Sequence, residues 1–155
     1  MIICKTAHFS PLLHLNSFSY CTNEAFDSDA PVAVGWETMT TYWPDVEYKE
    51  TDPNYDEFWT HEWEKHGTCS GLTQYEYFDY ATKLIQSFGT PAAYTAAATN
   101  GGSINADDLR DDFGGASMAS LQCSSGSYIN GVYTCWSTVN GVPTTQVECP
   151  SDVQV

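Results

Sequence analysis

The chain has 155 residues, of which 16% are charged, and its five Lys and Arg face twenty Asp and Glu for a formal charge of −15. That length reads as one domain; 42% hydrophobic and 14% aromatic content excludes an acidic disordered tail, and no apolar run reaches the roughly 18 residues of a membrane span. So few cations exclude a broad basic face for gripping nucleic acid and leave a polyanion only a small local site.

Residues 1 to 31 show neither helical nor strand periodicity. From Val32 to Trp43 an apolar pattern predicts a helix that Pro44 stops. An acidic loop follows, with Asp45, Glu47, Glu50, Asp52, Asp56 and Glu57 against a single Lys49. Phe58 to His66 reads as helix, with Gly67 near its end. Thr73 and Glu76 make a capping box, after which Phe78, Ala81, Leu84, Ile85 and Phe88 recur at helical spacing until Gly89 and Pro91. Thr90 to Ser103, Ala-rich and then Gly-rich, reads as a helix end followed by a loop. A short helix is predicted from Ala106 to Phe113, opened by Asn105 and closed by Gly114. The remainder reads as strand, over Met118 to Cys123, Tyr128 to Trp136 and Val142 to Cys149. The last two flank Asn140-Gly141, a hairpin turn signal. Helices first and strands later, without βαβ alternation, give an α+β class with an antiparallel sheet packed against several helices.

Six cysteines, Cys4, Cys21, Cys69, Cys123, Cys135 and Cys149, lie far apart and form no CxxC. Zinc-ribbon spacing is therefore absent. An even count at long spacing reads best as disulfides and an oxidising compartment, against the alternative of buried free thiols. Met1 to Leu15 has a short apolar patch but neither a basic start nor a small-residue cleavage site, so it carries no clear signal peptide.

Two of the four histidines, His61 and His66, stand beside Glu62 and Lys65. On a helix Glu62 and His66 are i,i+4 neighbours, and so are His61 and Lys65. The four form a stripe of two imidazoles, a carboxylate and an ammonium, with Trp59 and Trp63 as an adjoining ridge that anchors the helix in the core. An imidazole exchanges protons at mild pH, Glu62 can orient His66 or hold a proton for a phosphate oxygen, and Lys65 can stabilise charge on a phosphoryl group. Such a stripe also occurs as a solvated helix face, and spacing alone leaves both readings open. A metal reading fits poorly, because the histidines are i,i+5, about 140° apart around the helix, rather than the i,i+4 of a zinc-protease helix.

The run Phe58-Trp59-Thr60-His61-Glu62-Trp63-Glu64-Lys65-His66-Gly67-Thr68-Cys69 resembles the second active-site segment of the ribonuclease T2 family, FWxHEWxKHGTC. Ser19-Tyr20-Cys21, the helix over Thr40 to Pro44 and the late strands around Cys123, Val132 to Trp136 and Val147 to Pro150 are similar to the family as well, so that the resemblance covers about Phe18 to Val153. It implies a disulfide-stabilised α+β enzyme, secreted, vacuolar or lysosomal, that cleaves single-stranded RNA through a 2′,3′-cyclic phosphate. It further implies no metal or other cofactor, no DNA or membrane partner, and a monomer. By position, His66 matches the general base on the ribose 2′-hydroxyl, Glu62 and Lys65 the supports of the phosphorane, and His61 a phosphate-binding histidine. Phe58 matches an aromatic at a base subsite, with a core aromatic as its other reading. The resemblance also implies the disulfides Cys21–Cys69 and Cys135–Cys149. Cys123 matches a cysteine whose usual partner lies beyond this chain, and Cys4 has no matched role.

The family's first active-site segment, a HGLWP-like run supplying the acid for the leaving 5′-oxygen, does not occur here. His8, in His8-Phe9-Ser10-Pro11, is the weak stand-in, followed by His14. Residues 1–17 read as a divergent or misassigned terminus, and 18–155 as a single ribonuclease T2-like domain shortened at its C-terminus. The expected function is an endoribonuclease impaired by the missing segment. The alternatives are a non-catalytic RNA- or partner-binding remnant on the same fold and a disulfide-stabilised module with metal at His61 and His66.

Overall fold

The computed structural model describes residues 19–99, 101–124 and 128–150. Cys4, His8 and His14 lie outside the described residues, as does the boundary expected between residues 17 and 18.

The helix expected over 32–43 is two helices, α1 (Asp29–Val34) and α2 (Trp36–Tyr42). The break is Gly35, whose φ of 122° favours a residue without a Cβ. The acidic loop closes on itself: the buried Asp45 accepts backbone N–H bonds from Glu47 at 2.7 Å and Tyr48 at 3.2 Å. Next come α3 (Glu57–Lys65) and a tight turn over Gly67–Cys69. Helix α4 (Gln74–Phe88) opens with the predicted capping box: Thr73 Oγ1 accepts from the Glu76 N–H at 3.3 Å, and Glu76 Oε2 accepts from the Thr73 N–H at 2.9 Å.

The stretch read as a helix end and a loop contains a separate helix, α5 (Ala92–Thr99). Its first turn is held from outside, by Asp112 Oδ2 accepting the Ala93 N–H at 2.8 Å. Helix α6 (Ala106–Asp112) starts as expected at Asn105, whose Oδ1 accepts from the Asp107 and Asp108 N–H groups. Strands β1 (Ala119–Ser124), β2 (Tyr128–Val139) and β3 (Val142–Val147) form one antiparallel sheet in the order β1-β2-β3. Asn140 and Gly141 both take positive φ, 52° and 81°, the signature of the tight turn that suits strand twist. The class is thus α+β with an antiparallel sheet.

Two apolar clusters hold the helices and sheet. One joins α2, α3 and α4 through Met39, Trp43, Tyr55, Trp59, Trp63, Tyr77 and Phe78, and most of its members are rings packed edge to face. The other joins α5, α6, β1 and β2 through Ala93, Leu109, Ala119, Leu121 and Val132. The buried Gln74 ties the segment before α1 to α4: its amide donates to the Ala25 carbonyl at 2.9 Å, and its carbonyl accepts the Asp27 N–H at 2.8 Å. Within α4 the apolar side chains that reach the core are Tyr77, Phe78 and Ala81, with Thr82 buried beside them; Leu84, Ile85 and Phe88, expected on the same buried stripe, are half-buried. Phe88 instead meets Phe113 and Trp136, with ring centroids 4.9 and 6.2 Å away.

Both disulfides implied by the resemblance are present, Cys21–Cys69 and Cys135–Cys149. Cys123 is unpaired among the described residues, and exposed.

Candidate active site

The candidate site is built on α3, and α3 is fixed by its tryptophans. Trp59 is 1% exposed, and its indole N–H donates to the Trp43 carbonyl at 2.8 Å. Trp63 is equally buried, and its indole N–H donates to the Glu24 carbonyl at 3.2 Å. Each indole buries its large face and still satisfies its one donor, the condition on which Trp is stable in a core. The rotation of the helix is thereby set, and with it the direction of the four side chains read from the sequence.

The C-terminal end of α3 is held as tightly. The Lys65 carbonyl accepts the Tyr20 N–H at 2.9 Å, Thr68 Oγ1 accepts the Cys21 N–H at 3.1 Å, and the Cys21–Cys69 disulfide closes the same junction. Gly67 lies flat against the Trp63 ring. A Cβ there would stand 2.9 Å from Trp63 Cζ3 and closer still to Cε3. Gly67→Ala should therefore destabilise the fold by about 1–3 kcal/mol, the usual cost of overpacking, read as a lowered urea midpoint. An unchanged midpoint would mean that the ring yields.

Glu62 lies close enough to the Lys65 ammonium to feel its charge, and His66 follows at the end of the same helix. Glu62 is 6% exposed, buried beside Tyr77. Burial pushes its carboxyl up to about 7, against a smaller downward pull from the neighbouring Lys65 ammonium. The Tyr77 hydroxyl is likewise pushed far up, by its burial and then by the Glu62 charge. His66 follows one turn after Glu62, its backbone N–H donating to the Glu62 carbonyl at 3.0 Å. Its imidazole is half-buried in the wall of a cleft of about 30 Å³, and Tyr77 lines the same cleft. His61 is exposed, and Phe58 is half-buried against the aromatic cluster. Among the described residues no group of three or more His, Cys, Asp or Glu is placed to hold a metal ion. Of the aromatics in the acidic loop region, Trp43 and Tyr55 are core residues, and the Tyr48 hydroxyl donates to Glu57 Oε2 at 3.3 Å.

Sequence reasoning missed Tyr77. It sits one position before Phe78 in a helix already read as amphipathic, and only the fold shows that it backs Glu62. Trp136, which also lines the cleft, belongs to a strand recognised by its pattern, and nothing local to that strand pointed toward α3.

The raised Glu62 carboxyl has a thermodynamic consequence. Below an ordinary carboxyl value, about 4.5, folded and unfolded chains both hold the proton. Between about 4.5 and about 7 only the folded chain holds it, so stability falls as pH rises through that window. The accumulated penalty above pH 7 is on the order of 3 kcal/mol. Glu62→Gln should therefore raise stability by about 2–3 kcal/mol near pH 8 and change it little near pH 4. Urea titrations at the two pH values measure the difference, and equal effects at both would refute the burial account.

The sequence model described as "Ribonuclease T2 family" matches residues 14–149, a span that includes His14 and leaves out His8. The chain is similar to Ribonuclease 3 of Arabidopsis thaliana, 38% identical over 90 residues that cover 57% of this chain and 37% of that protein. It is 30% identical to Ribonuclease Rh of Rhizopus niveus over 109 residues, 59% of this chain and 43% of that protein. Against Ribonuclease DdI of Dictyostelium discoideum the figures are 32% over 119 residues, 70% of this chain and 50% of that protein. The chain thus spans half or less of the length of these curated relatives. No solved structure matches it.

Proposed function

The chain belongs to the ribonuclease T2 family, and we propose that it is an endoribonuclease that cleaves single-stranded RNA by transphosphorylation, leaving a 2′,3′-cyclic phosphate. The observation that carries this reading is the pairing of a buried Glu62, its carboxyl pushed up to about 7, with a half-buried His66 one turn later that opens on a cleft.

His66 takes the proton from the ribose 2′-hydroxyl. The 2′-oxygen attacks the adjacent phosphorus, and the bond to the 5′-oxygen breaks. Nucleophile and phosphate belong to one nucleotide, so the chain only has to orient them, which is where much of the rate originates. Glu62 is protonated at mildly acid pH and donates a hydrogen bond to a non-bridging phosphoryl oxygen. Lys65 neutralises the charge that grows on the phosphorane, and His61 holds the phosphate from the exposed side. Phe58 borders the downstream base. As the pH climbs past 7, Glu62 becomes a carboxylate and repels the phosphate it had assisted. A requirement for the 2′-hydroxyl makes RNA the substrate and excludes DNA. No metal enters this scheme, because protons and charge are carried by side chains.

The leaving 5′-oxygen needs a proton, and the 155 residues contain no HGLWP run to supply the usual histidine. We assign that role to His8, with His14 next. Loss of one positioned proton donor typically costs about 10²- to 10⁴-fold in rate, so this reading predicts slow cleavage by the 155-residue chain. The missing run also favours a second reading, a non-catalytic RNA-binding remnant on the same fold. Two disulfides support an oxidising location, outside the cell or in the vacuolar and lysosomal system.

The test is incubation of the chain with single-stranded RNA near pH 5, with and without EDTA, and with 2′-O-methyl RNA in parallel. Cyclic-phosphate ends that persist in EDTA and never form from the methylated strand would support the enzyme. Binding without cleavage would establish the remnant instead.

A further inference from the structure

We propose that Tyr77 is a positioning residue for His66: its hydroxyl holds a water molecule in the cleft that the two residues share, and that water accepts the imidazole N–H and fixes which ring nitrogen stays free to act as the base. The proposal rests on the ribonuclease reading of His66.

Tyr77 is 6% exposed, and aromatic neighbours hold its ring in place. The rings of Trp43, Trp63 and Phe78 have centroids 5.8, 5.7 and 5.3 Å away. Its backbone N–H donates to the Thr73 carbonyl at 2.9 Å, within the capped first turn of α4. The hydroxyl carried by this fixed ring departs from the rule that buried polar groups are paired. Among the described residues it makes no hydrogen bond. The Glu62 charge reaches it, so it lies toward α3, and Tyr77 and His66 border the same cleft. Burial keeps the hydroxyl protonated, and it can therefore both donate and accept.

A water molecule fits the room and the chemistry. The cleft offers about 30 Å³, against roughly 10–15 Å³ for one water centre. A buried water needs about two to four polar partners. Ser70 Oγ is already engaged, donating to the Gly67 carbonyl at 2.6 Å and accepting the Leu72 N–H at 3.1 Å. Tyr77, His66 and the half-buried Tyr80 supply three polar groups on the walls. The other titratable groups close to His66 among the described residues are Glu62 and Lys65 on α3, and Tyr20, whose N–H bonds the Lys65 carbonyl. The hairpin brings Trp136, Thr138, Gly141 and Pro143 to the cleft, none of which titrates.

The use of such a water follows from the imidazole. A neutral imidazole carries its proton on either nitrogen, and only one of the two forms presents a lone pair to the 2′-hydroxyl. An acceptor fixed on the cleft side holds the proton there and leaves the other nitrogen as the base. Once His66 takes the ribose proton, the same water accepts from the imidazolium and stabilises it. Tyr77 touches no reacting atom, and acts through the water and His66.

Tyr77→Phe tests this, since it removes one oxygen and keeps the packed ring. The readout is the pair of His66 ring-nitrogen resonances in ¹⁵N spectra of the 155-residue chain, followed against pH. The parent should show one dominant tautomer. In the variant the two nitrogen shifts should converge, and the midpoint of the His66 titration should fall by about 0.5–1, the worth of one hydrogen bond to the charged ring. Cleavage of single-stranded RNA should slow about 3- to 10-fold through kcat, with KM unchanged. A folded variant with the parent's tautomer and titration would overturn the proposal, whatever its rate. A crystal structure of the parent needs no variant. It should place one water within about 3.2 Å of both Tyr77 Oη and a His66 ring nitrogen, and a dry cleft would overturn the proposal as well. The parent's own cleavage of RNA separates the two ideas. A tautomer that depends on Tyr77 in a chain that never cleaves keeps the positioning and removes the enzyme; cleavage with a tautomer indifferent to Tyr77 does the reverse.

Discussion

Trp63→Ala is expected to destabilise the fold by about 3–5 kcal/mol, the range for deleting a buried large aromatic. Trp63 is 1% exposed, its ring packs on Tyr77 with centroids 5.7 Å apart, and Gly67 lies flat beneath it. Removing the indole opens a cavity between α3 and α4 and leaves the Glu24 carbonyl without the 3.2 Å bond it accepts. A domain of this size has about 5–15 kcal/mol of stability in total, so the variant should lose at least about a fifth of its margin. Trp63→Phe keeps most of the ring and loses the hydrogen bond, a change of about 1 kcal/mol from that bond alone plus some lost packing. Urea unfolding near pH 5 reads both. A loss below about 1 kcal/mol for the alanine variant would mean that the site collapses around the gap, against the packing described.

His66→Ala should lower the rate of RNA cleavage by about 10²- to 10⁴-fold, the usual value of one positioned proton acceptor. The substitution is a clean one. His66 follows α3 with φ −114° and ψ −46°, a backbone that alanine accepts, and its N–H bond to the Glu62 carbonyl is main chain and survives. The imidazole is half-buried at the edge of a cleft, so its loss should move stability by no more than a few tenths of a kcal/mol to about 1 kcal/mol. Rate and stability should therefore separate in this variant, whereas Trp63→Ala moves both together.

Local chemistry made much of the fold legible. The Thr73–Glu76 capping box and the Asn140-Gly141 turn each act over two to four residues, and both appear where the sequence places them. What failed was tertiary. Helix α5 has no amphipathic stripe, since nearly every residue is Ala or Thr. Its first turn is capped by Asp112, nineteen residues away in sequence, and Ala93 is buried in a cluster it shares with Leu109 of α6 and Ala119 and Leu121 of β1. The split between α1 and α2 turns on Gly35, a single residue in a helical pattern, where only the observed positive φ tells a break from a tolerated glycine.

The candidate site divides in the same way. The order of His61, Glu62, Lys65 and His66 is a property of the sequence, and so is the resemblance it carries. The acidity of Glu62 is not, because it comes from burial beside Tyr77, and Tyr77 reaches it only through the packing of α4 on α3. The cleft is less local still, since it joins His66 to Trp136 and Pro143 across some seventy residues of chain.

The most direct test of the account is the initial rate of cyclic-phosphate formation from single-stranded RNA near pH 5, measured side by side for the 155-residue chain and for His66→Ala. The account predicts slow but measurable cleavage by the parent and a loss of about 10²- to 10⁴-fold in the variant, with the urea midpoint nearly unchanged. Equal rates for the two chains, or a well-folded parent that binds RNA and never cleaves it, would contradict the assignment of His66 as the base.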